Sequence, residues 1–262
     1  MRQIEIRADV FHRALKTTAF AASRDFDPRR PAFSGVLLDV SSTVFCAVAT
    51  DGYRLAYFES SDGHDCRESV IAILSARELS KLKLPRTSGT VIKIAVYGTE
   101  ATIQHEKVAF SVPVIQAYFP NYLDVFPPAQ QAITLSCEKT AFLKALKSAM
   151  KDTTRENRNV FFWARPGLIA LAAEDPGIIF SHKLAAQCDY SVFGVFNSTY
   201  LRDALRALPS GGVQIRFTPP DEGRPIFSPM ELSSADRSGN VIRHLVMACR
   251  RPFIPALPGF DS

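Results

Sequence analysis

The sequence predicts an α+β protein of two pseudo-symmetric domains with antiparallel sheets, each domain built from two strand-helix-three-strand repeats. Three observations carry that expectation. Strand-like runs outnumber helical ones about three to one, which favours antiparallel sheets over the parallel βαβ units that alternation alone would also suit. Four amphipathic helical patterns begin roughly 60 to 70 residues apart, a spacing longer than the commonest solenoid periods. Near the middle, Val125-Phe126-Pro127-Pro128 interrupts the chain.

Each element follows from local pattern. Met1-Arg2-Gln3-Ile4-Glu5-Ile6-Arg7 alternates charged and apolar residues, so it reads as a strand and not as a signal peptide. A helix over residues 8–22 follows, with Phe11, Leu15 and Ala19 on one stripe. Residues 36–40 are extended. Residues 48–55 form a hairpin, because Gly52 supplies the positive φ that an Asp-Gly turn needs and Asp51 tolerates it. A second helix over 75–83 and a strand over 91–96 complete the first half. Paired prolines cannot continue a helix and suit an extended linker, which places a boundary within residues 124–131. The resulting domains are 1–126 and 127–251, with 252–262 as a C-terminal extension. In the second half a helix over 138–151 carries Phe142, Leu143, Leu146 and Met150, and another spans 198–208. Residues 160–163 and 213–217 are rich in β-branched and aromatic side chains and read as strands.

Composition bounds the class without choosing it. A chain of 262 residues, 47% hydrophobic and 22% charged, can bury one large core or two medium ones. No apolar run approaches the ~18 residues of a membrane span, and a cytoplasmic location is expected. Five scattered cysteines argue for reduced core thiols and against a disulfide framework. Phosphate-cradling loops, dinucleotide fingerprints and zinc-ligand pairs do not occur, so neither enzymatic activity nor a cofactor or metal is expected. Asp51 is a lone carboxylate, and before Gly in a hairpin its role is turn geometry.

Charge placement is more informative than net charge, which is only +5. The helical segments and their flanks carry Arg7, Arg13, Lys16 and Arg24; Arg77, Lys81 and Lys83; Lys144, Lys147 and Lys151; and Arg202 and Arg206. Acids fall mainly in turns. If pseudo-symmetry brings the four helices onto one surface, these cations form a track for nucleic-acid phosphates, with no base reading. The plainer alternative is that they only solvate the outer helix faces.

The hairpin has company in the sequence. Phe33-Ser34-Gly35 precedes it, Phe119-Pro120-Asn121-Tyr122 and Pro127 follow it, and Phe196-Asn197-Ser198-Thr199-Tyr200-Leu201 and Val246-Met247-Ala248-Cys249-Arg250 come later in the same order. With these motifs, residues 1–250 resemble the middle and C-terminal domains of the bacterial DNA polymerase III beta subunit, the replicative sliding clamp. The resemblance implies the DNA-clamp fold, with one of the family's three domains unrepresented. It further implies duplex DNA as a sequence-independent partner, with DNA polymerase, other clamp-binding proteins and a clamp loader as protein partners.

Partner peptides in that family enter a hydrophobic groove between the second and third domains. The positions matching that groove here are Phe33, Thr50, Gly52, Tyr53, Arg54, Leu55, Pro127, Tyr200, Leu245, Met247 and Arg250. Leu55, Pro127, Leu245 and Met247 supply apolar walls, while Tyr53, Arg54 and Tyr200 orient the ligand backbone. Three departures stand out: Tyr53 replaces the commoner His, Ala248 and Cys249 replace Pro and Met, and the chain continues past Arg250. Two domains per chain and six per ring imply a homotrimer. The alternative from a different class is a truncated paralogue that binds clamp partners as a decoy or regulator without forming a ring.

Overall fold

The computed structural model describes residues 2–128, 130–151, 153, 158–175, 178–220, 225–236 and 238–250. The expected extension over 252–262 lies outside them. The chain divides into two units, residues 1–122 with 235–243, and residues 123–234 with 244–262.

In the first unit β1 (Arg2–Arg7) and α1 (Ala8–Thr18) lead into β2 (Gly35–Val40), β3 (Phe45–Thr50) and β4 (Arg54–Ser60). A short β5 (His64–Cys66) precedes the second repeat, formed by β6 (Val70–Ser75), α2 (Ala76–Leu79), β7 (Val91–Tyr97), β8 (Glu100–His105) and β9 (Val108–Pro113). The two repeats exchange their first strands. One sheet runs β5-β1-β7-β8-β9 and the other β4-β3-β2-β6, with antiparallel pairing throughout. α1 lies against β3 and β4, and Phe11 meets Phe45 edge-on at 6.4 Å between centroids.

The exchange recurs in the second unit. β10 (Ile133–Glu138), α3 (Lys139–Ala149), β11 (Asn159–Arg165), β12 (Leu168–Asp175) and β13 (Ile178–Ala185) form its first repeat. β14 (Val192–Asn197), α4 (Ser198–Ala207), β15 (Gly212–Phe217), β16 (Met230–Ala235) and β17 (Val241–Val246) form its second, in which residues 235–243 are the stretch grouped with the first unit. The sheets run β13-β12-β11-β14 and β10-β15-β16-β17. Phe162 centres the core, 6.1 Å from Phe196 and 5.6 Å from Phe217 by ring centroids. α3 packs on β12, β13 and α4.

Three sequence expectations need correction. The first helix stops at Thr18 and continues only as a 3-10 turn over Ala19–Ala21. The hydroxyls of Thr17 and Thr18 donate back to the carbonyls of Arg13 (2.8 Å) and Ala14 (2.7 Å), a pairing that weakens a helix where it occurs. Its buried face is set by Phe11, Ala14 and Thr18, with Leu15 and Ala19 only partly covered. The second helix shrinks to one turn: Ser75 caps it by accepting from the Glu78 amide, and the chain then tightens into three-residue bonds before Pro85, which disfavours helix at Leu84.

Cys46, Cys66, Cys137 and Cys188 are buried free thiols, and burial pushes Cys46 up to about 11 and Cys137 to about 12. Among the described residues, no helix is long and apolar enough to cross a membrane.

Candidate partner groove and nucleic-acid interface

The β3–β4 connection is a turn held by its own side chains. Asp51 accepts the backbone N–H groups of Tyr53 and Arg54 at 3.0 Å each on Oδ1, and the Arg54 guanidinium at 2.9 Å on Oδ2. Thr50 Oγ1 donates to the Arg54 carbonyl at 2.7 Å and accepts the Gly52 amide at 3.0 Å. Gly52 has φ +88°, and an added Cβ would lie 3.1 Å from the Phe33 ring. The carboxylate of Asp51 therefore serves turn geometry, as its sequence context implies.

Of the groove residues expected in the first unit, Tyr53 is the most open, at 59% exposure. Phe33 is partly covered, with the Arg30 guanidinium 5.3 Å above its ring. Arg54 is committed within the chain, paired with Asp51 and stacked 5.5 Å from the Phe20 ring. Its visible role is to stiffen the turn that presents Tyr53. Leu55 is buried.

In the second unit Asn197 caps α4, its Oδ1 accepting the Thr199 and Tyr200 amides at 2.9 and 3.2 Å, while Phe196 enters the core. The Phe-Asn-Ser-Thr-Tyr motif thus starts a helix and fixes Tyr200 in its first turn. The terminal segment runs beside β14: Ala248 bridges Phe196, and the Cys249 amide donates to the Val195 carbonyl at 2.7 Å. That pairing sets Met247 at 39% exposure and Arg250 in solvent, whereas Leu245 and Pro127 are buried.

The helix cations divide into two groups. Arg7 holds Asp9 and Asp62, Arg13 holds Asp236, Lys81 holds Glu78, and Arg202 holds Asp203. Burial opposes ionisation of Asp236, yet hydrogen bonds from Asn240, the Ser238 amide and Arg13 keep its carboxyl below the usual range. Lys16, Arg24, Arg77, Lys83, Lys144, Lys147, Lys151 and Arg206 are exposed, and none has a carboxylate partner among the described residues. Burial, with the charges of Arg86 and Lys16, lowers the His12 pKa, so this part of α1 is locally positive.

Residues 5–121 match the family model described as DNA polymerase III beta subunit, central domain. The chain is 25% identical over 209 residues to the beta sliding clamp of Treponema pallidum, covering 78% of this chain and 56% of that protein. Against the Streptomyces coelicolor beta sliding clamp, identity is 25% over 222 residues, with 81% and 58% covered. The chain is similar in sequence to the beta sliding clamps.

The fold agrees with that similarity. A Pseudomonas aeruginosa DNA polymerase sliding clamp superposes with a TM-score of 0.83 at 19% identity over 95% of this chain and 66% of that one. The Thermotoga maritima DNA polymerase III beta subunit gives 0.83 at 20% identity over 96% and 66%. The chain spans a little over half the length of the curated clamps it matches.

Two residues of the site had no reading in the sequence: Phe20, which stacks under Arg54, and Asp27, which holds Arg29 and Arg30. Adjacency of Asp27 to two arginines was the available signal for the second. Nothing local pointed to Phe20.

Proposed function

We propose that the chain acts as a DNA sliding clamp, a non-enzymatic polymerase processivity factor of the cytoplasm. One observation carries the reading: each of the four helices buries an apolar face and turns at least one exposed cation away from it. Lys144 and Lys147 on α3 oppose Phe142, Ala145 and Leu146, and Arg206 on α4 opposes Leu201, Ala204 and Leu205. Such faces meet phosphates without reading bases, so they favour duplex DNA of any sequence. Contacts that are weak and partly water-bridged permit sliding.

Partners are tethered through a groove for short hydrophobic motifs. Tyr53 and Met247 are its accessible apolar members, Tyr200 and Arg250 supply polar contacts, and Thr50, Gly52 and Arg54 hold the turn in shape. Tethering raises the effective concentration of the polymerase at its template without any new chemistry. A clamp loader opens the ring. With two clamp units per chain, three copies supply six domains, and a head-to-tail contact that closes at three gives a homotrimer. Light scattering tests the assembly: three times the 28.9 kDa chain mass is expected. A monomer at high concentration overturns it and turns the account towards a partner-binding decoy.

A further inference from the structure

In the first unit a cleft of about 580 Å³ opens where the end of α1 meets α2. That volume lies in the range of small-ligand sites, roughly 300–1,000 Å³. Ala19, Ala22 and Ala76 line it beside four serines, with Arg24, Phe26 and Arg77 as its large side chains.

Two arginines face this space, Arg24 and Arg77, and neither has a carboxylate partner among the described residues. Arg7, Arg13, Arg29, Arg30 and Arg54 of the same unit each hold an aspartate, whereas Arg24 and Arg77, like the exposed Arg2, Arg67 and Arg86, hold none among the described residues. Asp27 is taken by Arg29 and Arg30, and Glu78 by Lys81. The cleft is therefore lined by two arginines and by no carboxylate.

The hydroxyls divide by role. Ser23, Ser34 and Ser80 donate their protons to the carbonyls of Asp25, Pro31 and Arg77, so their oxygens remain acceptors. Ser75 accepts the Glu78 amide and keeps its own proton to give. Phe26, also on the lining, leaves 67% of its surface in solvent. Guanidinium forks suit phosphate oxygens, acceptor hydroxyls suit the N–H and O–H groups of a base and sugar, and an exposed aromatic face suits an unstacked base.

We propose that this cleft binds a nucleoside phosphate: the phosphate on Arg24 and Arg77 with the Ser75 hydroxyl, and the base against Phe26. The phosphate has two possible sources, an unpaired nucleotide of a single strand or a free mononucleotide. This rests on the clamp reading, which already places Arg24 and Arg77 near duplex phosphates, and deepens it by assigning them a single nucleotide in a cleft; it does not require a ring.

The test is fluorescence anisotropy on the full chain with a labelled short oligo-dT strand and, separately, with labelled thymidine 5′-monophosphate. The Arg24→Gln/Arg77→Gln double variant should weaken whichever probe binds by tenfold or more, and Phe26→Ala by about tenfold, the scale of one lost base-aromatic stack. Arg29→Gln, at a neighbouring but paired arginine, should change nothing. Binding of the strand but not the monophosphate assigns the single strand as source, and the reverse assigns the free nucleotide. Lys144→Gln/Lys147→Gln should leave both probes unaffected while weakening duplex binding, which separates this site from the clamp reading. Binding of neither probe, or equal affinity in the double variant, overturns the proposal. Both arginines are exposed, so circular dichroism of the variants should match the parent.

Discussion

Replacing Lys144 and Lys147 by glutamine isolates the electrostatic part of the account. Both side chains stand on the exposed face of α3 with no carboxylate partner among the described residues, so each is free to meet a phosphate. Counterion release makes log K fall with log salt at about 0.9 per phosphate contact, so each chain that meets the duplex loses two contacts and lowers the slope by about 1.8. Extrapolated from 1 M, where the two proteins converge, that is about 60-fold weaker binding at 0.1 M salt for each such chain, and less where contacts run through water. Arg13→Gln is the comparison, because Arg13 already neutralises Asp236; it should change the slope by less than about a third of one contact. The assay is anisotropy of a labelled duplex across a salt series. An unchanged slope in the lysine variant, or an equal change in Arg13→Gln, would refute the division of free and committed cations.

Three further outcomes follow from burial and packing. His244 is fully buried, which lowers its pKa to about 3, while the unfolded chain takes up its proton near 6.5. Stability is therefore present above 6.5 and lost as pH falls below it, by about 2 kcal/mol between pH 7 and 5; urea melts should show this loss, and His244→Leu should remove that part of it. Met247→Glu should weaken a short Leu/Phe peptide by about 30-fold with the melting temperature unchanged, because the side chain is 39% exposed; unchanged affinity removes Met247 from the groove. Charged residues at Leu55 or Leu245 test stability instead, since both are buried. Gly35→Ala drives a Cβ into Ile73 and to 3.1 Å from the Leu74 carbonyl, and should cost about 1–3 kcal/mol in the same melts.

The repeat architecture was legible because helical stripes such as Phe142/Leu146 and runs such as Val-Phe-Phe-Trp record burial directly in residue order. The Asp51-Gly52 turn was equally readable, since its bonds lie within a few residues. Helix length was less so. Thr17 and Thr18 bond back to the preceding turn, and α2 lacks the sequence to outlast Ser80 before Pro85, effects that a hydrophobic stripe does not encode. The exchange of first strands between repeats is a long-range choice, made by pairings such as Ile4 with Ile94. Which cations are free was the least legible feature. Arg13 and Lys16 look alike in sequence, yet only Arg13 meets an aspartate, 223 residues away.

Topological retention on DNA tests the proposed clamp function most directly. Subunits dissociated by dilution, mixed with nicked circular plasmid and then concentrated, should close around the circle and co-elute with it on gel filtration in salt that breaks phosphate contacts. Cutting the plasmid once should release them, because a ring slides off an open end. Protein that stays bound after linearisation is held by affinity and not by topology, and protein that never co-elutes with the circle does not close around it; either result contradicts the account.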